Sequence, residues 1–286
     1  MKMITLLLAG SVLGGNVALS AMTLTWDDLT AYYDYASITG SGTGNDTRVT
    51  PVVAPAGVSY NPVIQYNKYS ATGGFGGGGY VMTQGNAYTP SCENLSSAGI
   101  SVANGGFAVS FHVRDIGTAG VSFSSLFAGQ GVNDATFVIT GSSISTPGYG
   151  GGWTMADGRN GITAHTDATY ANPGSVASEP WQSIVMSVGA GGIVSIYVDG
   201  ALFATSNAAW NRMTGNLDKL RFGGNGNNGS GATDGQYSDF AIWDKPLTAE
   251  DAEWLSNNAV GALVPEPATA TLGLLGLTAL LIRRRR

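Results

Sequence analysis

Residues 181–206 read WQSIVMSVGAGGIVSIYVDGALFATS. Residues 183–188 and 193–198 are largely apolar runs of strand length, rich in Val and Ile, and a third short run covers 201–205. A glycine-rich turn at 189–192 joins the first two runs. Asp199-Gly200 joins the second and third, and this pair suits the positive φ angles of a two-residue type I′ turn. The segment therefore reads as three consecutive antiparallel strands. Its middle strand carries bulk on both faces, as a strand covered on both sides does.

Strand signals extend outward, here as alternation. Phe107, Val109, Phe111 and Val113 share one face of a strand, and Ala108, Ser110, His112 and Arg114 share the other. Further on, residues 220–222 and 237–243 read as strands separated by a loop rich in Gly and Asn. Pro246-Leu247 ends the second of these. Thr248 followed three residues later by Asp251 is a helix-start signal of the capping-box type, so 249–255 reads as one short helix with Ala252 and Leu255 facing the body.

Composition agrees with many short strands. The 286 residues include 43 glycines, 43% are hydrophobic and only 11% are charged, against the usual quarter. Setting aside Lys2, Glu266 and the four terminal arginines leaves 8 basic and 18 acidic residues. So acidic a body lacks the basic footprint that nucleic acid requires, and nucleic acid is excluded as a partner. The single cysteine, Cys92, rules out an internal disulfide and any paired-cysteine metal knuckle.

Two of these stretches carry a family resemblance. The first holds Trp181 and the hairpin Tyr197-Val198-Asp199-Gly200. The second holds Ser238 to Asp244, then Pro246-Leu247-Thr248-Ala249-Glu250-Asp251. Together they resemble the laminin-G/pentraxin-like branch of the concanavalin A-like lectin superfamily. Asp251 stands where that family commonly has Glu. The resemblance implies an all-β antiparallel sandwich of jelly-roll type with one short C-terminal helix. It also implies a binding role, for a glycan or an extracellular polymer.

The ends read differently from the body. Lys2, an apolar run through 4–17, and the small residues Ala18 and Ser20 make residues 1–20 a secretory signal peptide with an N-terminal signal helix, the substrate of a signal peptidase. Residues 21–262 form the sandwich domain, with 22–58 the hardest part to place: an edge strand, then a surface segment rich in Pro, Gly and Thr. Residues 263–286 form a tail. Its apolar helix, 268–282, would span about 22 Å, short of the roughly 30 Å hydrocarbon core. Arg283, Arg284, Arg285 and Arg286 would stay cytoplasmic. Val264-Pro265-Glu266-Pro267, the apolar transmembrane helix and the arginine cluster together resemble the PEP-CTERM sorting signal. That resemblance implies processing by an exosortase-type membrane protease. The body would then pass from the inner membrane to the envelope or the exterior.

Candidate chemistry is sparse. The glutamates of the body, Glu93, Glu179, Glu250 and Glu253, form no paired-carboxylate strand motif of the kind glycoside hydrolysis uses. His112 and His165 are the only histidines, and neither lies in a zinc-protease spacing. No G-x-S-x-G elbow occurs. A non-enzymatic binding module is therefore expected, with a structural matrix protein as the alternative and a glycan hydrolase behind it. The run Gly73 to Gly79 lacks the Lys-Ser/Thr of a phosphate loop and reads as a flexible loop. Trp153 with Tyr149, and Trp210, sit near loops and are candidate sugar-stacking residues, whereas Trp181, Trp243 and Trp254 are expected to pack inside. Laminin-G-like domains often hold a rim calcium, and this marks Asp239 and Asp234 as candidate calcium ligands.

Overall fold

A computed structural model describes residues 22–38, 49–54, 59–61, 69–83, 91–93, 95–117, 125–131, 136–142, 152–157, 163–165, 180–205, 217–222 and 234–263. The expected signal helix, the sorting residues 264–267 and 283–286 and the apolar run 268–282 lie outside them. Among the described residues no helix is long and apolar enough to cross a membrane.

Two antiparallel sheets make up the body. The eight-stranded sheet contains β1 (Leu29–Tyr33), β3 (Tyr69–Ser70), β4 (Tyr80–Thr83), β6 (Gly106–Gly117), β11 (Gln182–Gly189), β12 (Val194–Val198), β13 (Ala201–Thr205) and β15 (Asp234–Trp243). Its order is β13-β12-β11-β6-β15-β4-β3, with β1 also on β15. The seven-stranded sheet contains β2 (Ser59–Asn61), β5 (Ser91–Glu93), β7 (Ser125–Gly131), β8 (Thr136–Ser142), β9 (Gly152–Asp157), β10 (Thr163–His165) and β14 (Leu217–Phe222), in the order β10-β9-β8-β7-β14-β5-β2. Phe107, Val109, Phe111 and Val113 on β6 join Ile184, Met186 and Val188 on β11 in one buried core. Leu220 of the other sheet belongs to the same core.

The expected hairpin is present. Asp199 and Gly200 take φ of 49° and 79°, the doubly positive geometry of a type I′ turn. The Asp199 carboxylate also accepts the Ser183 N–H at 2.9 Å, tying the turn to β11. The helix is present too, as α1 (Ala249–Asn257). Thr248 Oγ1 accepts the Asp251 N–H, and Asp251 Oδ2 accepts the Thr248 N–H in return. Asp251 is fully buried and also accepts the N–H and hydroxyl of Thr23, at 2.7 and 3.0 Å. Burial pushes this carboxyl up, but the hydrogen bonds from Thr248 and Thr23 outweigh it and leave the pKa below the ordinary value. Asp251 thus fastens the start of the domain to its last helix.

The second face of β6 is also covered. Ala108 packs with Trp243, Leu247, Ala252 and Leu255 beneath α1, and Ser110 and His112 are only 3% and 2% exposed. The polar residues on this face are held by local partners. Ser110 Oγ accepts the Trp243 indole N–H at 3.0 Å, and Ser187 Oγ exchanges hydrogen bonds with both the N–H and the C=O of Leu247.

The segment that sequence alone placed least well, 22–58, supplies β1 and a bridge between Tyr32 and Val53. β1 pairs with β15 through Phe240–Trp243, whereas β4 pairs with β15 through Gly235–Tyr237. Between these two registers lies a β-bulge, where β15 gains one residue on β6 between Ser238 and Ala241. Asp239 sits in that bulge with φ of 52°, a left-handed conformation that Asp tolerates better than most residues.

Candidate functional site

The bulge turns Asp239 inward. Its side chain is 2% exposed. Oδ1 accepts the Tyr32 hydroxyl proton at 2.9 Å, and Oδ2 accepts the Val260 N–H at 3.0 Å. Tyr32 Oη in turn accepts the Gly261 N–H at 3.2 Å. Burial raises the Asp239 pKa to about 6, with Val260 and Tyr32 pulling the other way. The Tyr32 phenol is raised as well, first by burial and then by the charge of Asp239.

His112 completes this cluster. Its Nδ1 lies 3.6 Å from Asp239 Oδ2, and neither ring nitrogen reaches a hydrogen-bond partner at standard geometry. Burial lowers its pKa to about 3, offset only in part by the main chain of Leu255. At neutral pH a neutral imidazole therefore stands beside an ionised carboxylate.

Asp239 therefore does not lie at an open rim, as expected of a calcium ligand. Both its oxygens already receive donors inside the fold, and this environment does not fit a hard cation that needs about 6–8 oxygen ligands. Among the described residues no group of three or more His, Cys, Asp or Glu side chains could hold a metal. Asp234 begins β15, but its side chain lies outside the described residues.

Ser238, His112 and Asp239 are the residue types of a hydrolytic triad. Here they are 0%, 2% and 2% exposed. Ser238 Oγ is engaged by the main chain, donating to Gly79 O at 2.7 Å and accepting the Phe75 N–H at 3.0 Å. The set is sealed from solvent and holds strands and loop together.

The glycine run 73–79, read from sequence as a flexible loop, is packed on backbone at Gly74, Gly78 and Gly79, whereas Gly73, Gly76 and Gly77 are exposed. A Cβ on Gly79 would lie 2.2 Å from Tyr35 O and 2.5 Å from Ser70 O. Only hydrogen fits there, so the glycines bring the loop's backbone down onto the strands. Phe75 reaches from it over His112.

Beside this loop the outer face of the eight-stranded sheet opens. Arg114 extends from β6, one step beyond His112 on the same face. Its guanidinium carbon lies 4.2 Å from the centre of the Trp181 ring and 5.6 Å from that of Tyr80. The two rings are 6.2 Å apart and inclined at 58°. Arg114 Nε donates to Gln236 Oε1 at 2.9 Å, and Nη2 donates to Gly73 O at 3.2 Å. Four strands or their edges thus contribute to one partly exposed platform of Tyr80, Arg114, Trp181 and Gln236. Its cation–π contacts and two hydrogen bonds fix the guanidinium plane.

Trp181 was expected to pack inside; it is only partly buried, and Arg114 is its neighbour. Trp243 is fully buried as expected, and Trp254 packs against the cluster beneath α1. Trp153 lies on β9, where its backbone pairs with Gly141, but its side chain, together with Tyr149 and Trp210, lies outside the described residues. Sequence reading missed the platform. The one signal it offered was the alternation that sets Arg114 on the face opposite Val113.

The description "concanavalin A-like lectin/glucanases superfamily" matches the chain over residues 79–253. No curated protein matches it. Among solved structures, a Trypanosoma rangeli sialidase in complex with 2,3-difluoro-KDN is similar at 14% identity, with a TM-score of 0.56 over 84% of this chain and 34% of the sialidase. The binding domain of botulinum neurotoxin serotype G is similar at 16% identity, with a TM-score of 0.50 over 80% of this chain and 50% of that one. The chain thus spans about a third of the sialidase and half of the toxin binding-domain chain. At these identities the likeness is one of fold.

Proposed function

The chain belongs to the concanavalin A-like lectin/glucanases superfamily, and from that premise we propose that it is an exported binding module for a glycan or extracellular polymer. The observation that carries this reading is the platform of Tyr80, Arg114, Trp181 and Gln236. A pyranose ring has an apolar C–H face and polar edges. A partly exposed indole and phenol offer the apolar surface, while a fixed guanidinium and a carboxamide offer polar contacts at its margin. The acidic composition favours neutral or weakly charged saccharides over densely anionic ones.

A binding role is favoured over catalysis because the Ser238–His112–Asp239 group is sealed within the fold. The reading of the ends completes the proposal. A signal peptidase removes residues 1–20, the apolar run 268–282 holds the precursor briefly in the inner membrane, and an exosortase-type protease acts at 264–267. The body then joins the envelope or the medium.

The test is a glycan array probed with the protein released by its host, followed by titration of the best ligand against Trp181→Ala. Loss of a stacking ring should weaken binding at least tenfold while leaving the melting temperature within a few degrees. If no glycan is retained, the structural matrix reading replaces this one. The sorting half is tested separately. Changing Pro265, Glu266 and Pro267 to alanine should leave export intact and hold the precursor in the membrane, and normal release of that variant would overturn it.

A further inference from the structure

The last element among the described residues is a short 3-10 turn, Val260–Leu263, and the next residue in sequence is the first of Val264-Pro265-Glu266-Pro267. No spacer separates the two. The turn is fastened to the body at several points. Val260 is fully buried, and its N–H donates to Asp239. Gly261 N–H donates to Tyr32 Oη, and a Cβ at Gly261 would stand 3.2 Å from that oxygen. Just before the turn, Ala259 Cβ lies where a Cβ on Gly76 would fall, at 2.4 Å. Three distant segments, β1, β15 and the glycine loop, therefore grip residues 259–261.

We infer that this grip governs processing of the tail, with Asp239 and Tyr32 as positioning residues that withhold the chain next to the processing site. This rests on the reading of residues 264–267 as a protease recognition motif. Proteases take their substrates as extended chain over several residues on both sides of the cut bond, because main-chain hydrogen bonds to the enzyme require it. Residues 260–263 are curled and hydrogen-bonded into the domain, so the enzyme engages only the fraction of molecules in which they have let go. The apparent processing rate is reduced by that fraction. Because the grip needs β1 and β15 paired, its strength also reports that the two ends of the domain have come together.

The experiment is a pulse–chase of tail removal from the full-length chain in a host that carries the processing enzyme. Tyr32→Phe deletes the hydroxyl that bridges Asp239 and Gly261, and Asp239→Asn weakens the acceptor for Val260. Each should speed tail removal about three- to tenfold, and each should raise hydrogen exchange at the Val260 and Gly261 amides. A third variant leaves the grip intact and inserts about six Gly/Ser residues between Leu263 and Val264. It should match or exceed the acceleration of the others, and it does not depend on the substituted domains folding well. Unchanged processing in the insertion variant would overturn the inference while leaving the sorting reading intact. Processing that ignores the alanine substitutions at Pro265, Glu266 and Pro267 would instead overturn the sorting reading itself.

Discussion

The ring of Phe75 lies flat on the ring of His112, with centroids 3.5 Å apart and planes 9° from parallel. This contact closes the buried polar cluster. The imidazole has no room for water above it, so it stays neutral far below its ordinary titration range. Phe75→Ala should remove that roof. The His112 pKa, followed by NMR titration, should climb from about 3 toward the model-peptide value near 6.5. A pKa that stays low would show that the surrounding strands, not Phe75, seal the ring.

His112 and Asp239 shift stability in opposite directions with pH. The folded pKa of His112 lies below its unfolded value, so the unfolded chain binds the extra proton and stability falls as pH drops from about 6.5 toward 3. The folded pKa of Asp239 is raised to about 6, so the folded chain binds the extra proton and stability rises as pH drops from about 6 toward 4. Between about pH 6 and 4 the two slopes, each near 1.4 kcal/mol per pH unit at most, offset one another. Asp34 adds negative charge near Asp239 and strengthens its part. Asp239→Asn should therefore expose a steep loss of stability on acidification, and His112→Gln a gain over the same window. Denaturant midpoints at pH 4, 5, 6 and 7 check the signs, and parallel curves for both variants would refute the assignment.

Ile242→Asp should abolish folding. Ile242 is fully buried in the core on β15, opposite Val109 of β6 and Ala31 of β1. An unpaired carboxylate there costs several kcal/mol, comparable with a domain's whole margin of about 5–15 kcal/mol. Circular dichroism of the purified variant should show loss of the cooperative melt, and an unchanged melting temperature would place this strand elsewhere.

What sequence revealed and what it hid follow from the range of the interactions. The Asp199-Gly200 turn and the Thr248/Asp251 box were legible because each is closed by residues three or four positions apart, with φ angles and hydrogen bonds dictated locally. The alternation of 107–113 was legible because one face must meet a core. Asp239 was misplaced because its inward turn arises from a bulge between two registers, one with β4 and one with β1, and neither register is written in the residues around it. The platform was hidden for the same reason. Trp181, Tyr80 and Gln236 surround Arg114 only after four strands have paired, and Trp181 reads as a packing residue from its place in the family motif. The second face of β6 carries Ser110 and His112, and it is interior because α1 and the glycine loop cover it.

The last prediction concerns how the β12–β13 hairpin meets α1. Gly200 takes a φ of 79°, and a Cβ there would lie 2.8 Å from Glu253 Cα and 3.0 Å from Ser256 Oγ. Gly105 has φ of 108° with nothing within 4 Å of its would-be Cβ. An alanine at Gly105 meets backbone strain alone, which costs about 1 kcal/mol or somewhat more. An alanine at Gly200 meets similar strain and also a helix backbone that must move, adding about 1–3 kcal/mol. For a domain of this size each kcal/mol corresponds to roughly 2–4 °C. Gly200→Ala should therefore melt several degrees below Gly105→Ala. The difference should vanish when Gly200→Ala is compared in a chain whose α1 has been loosened by Thr248→Ala, which removes the helix cap and lets the helix yield. Equal melting of the two glycine variants in the otherwise native chain would mean that the hairpin does not bear on α1, and that positive φ alone requires glycine at position 200.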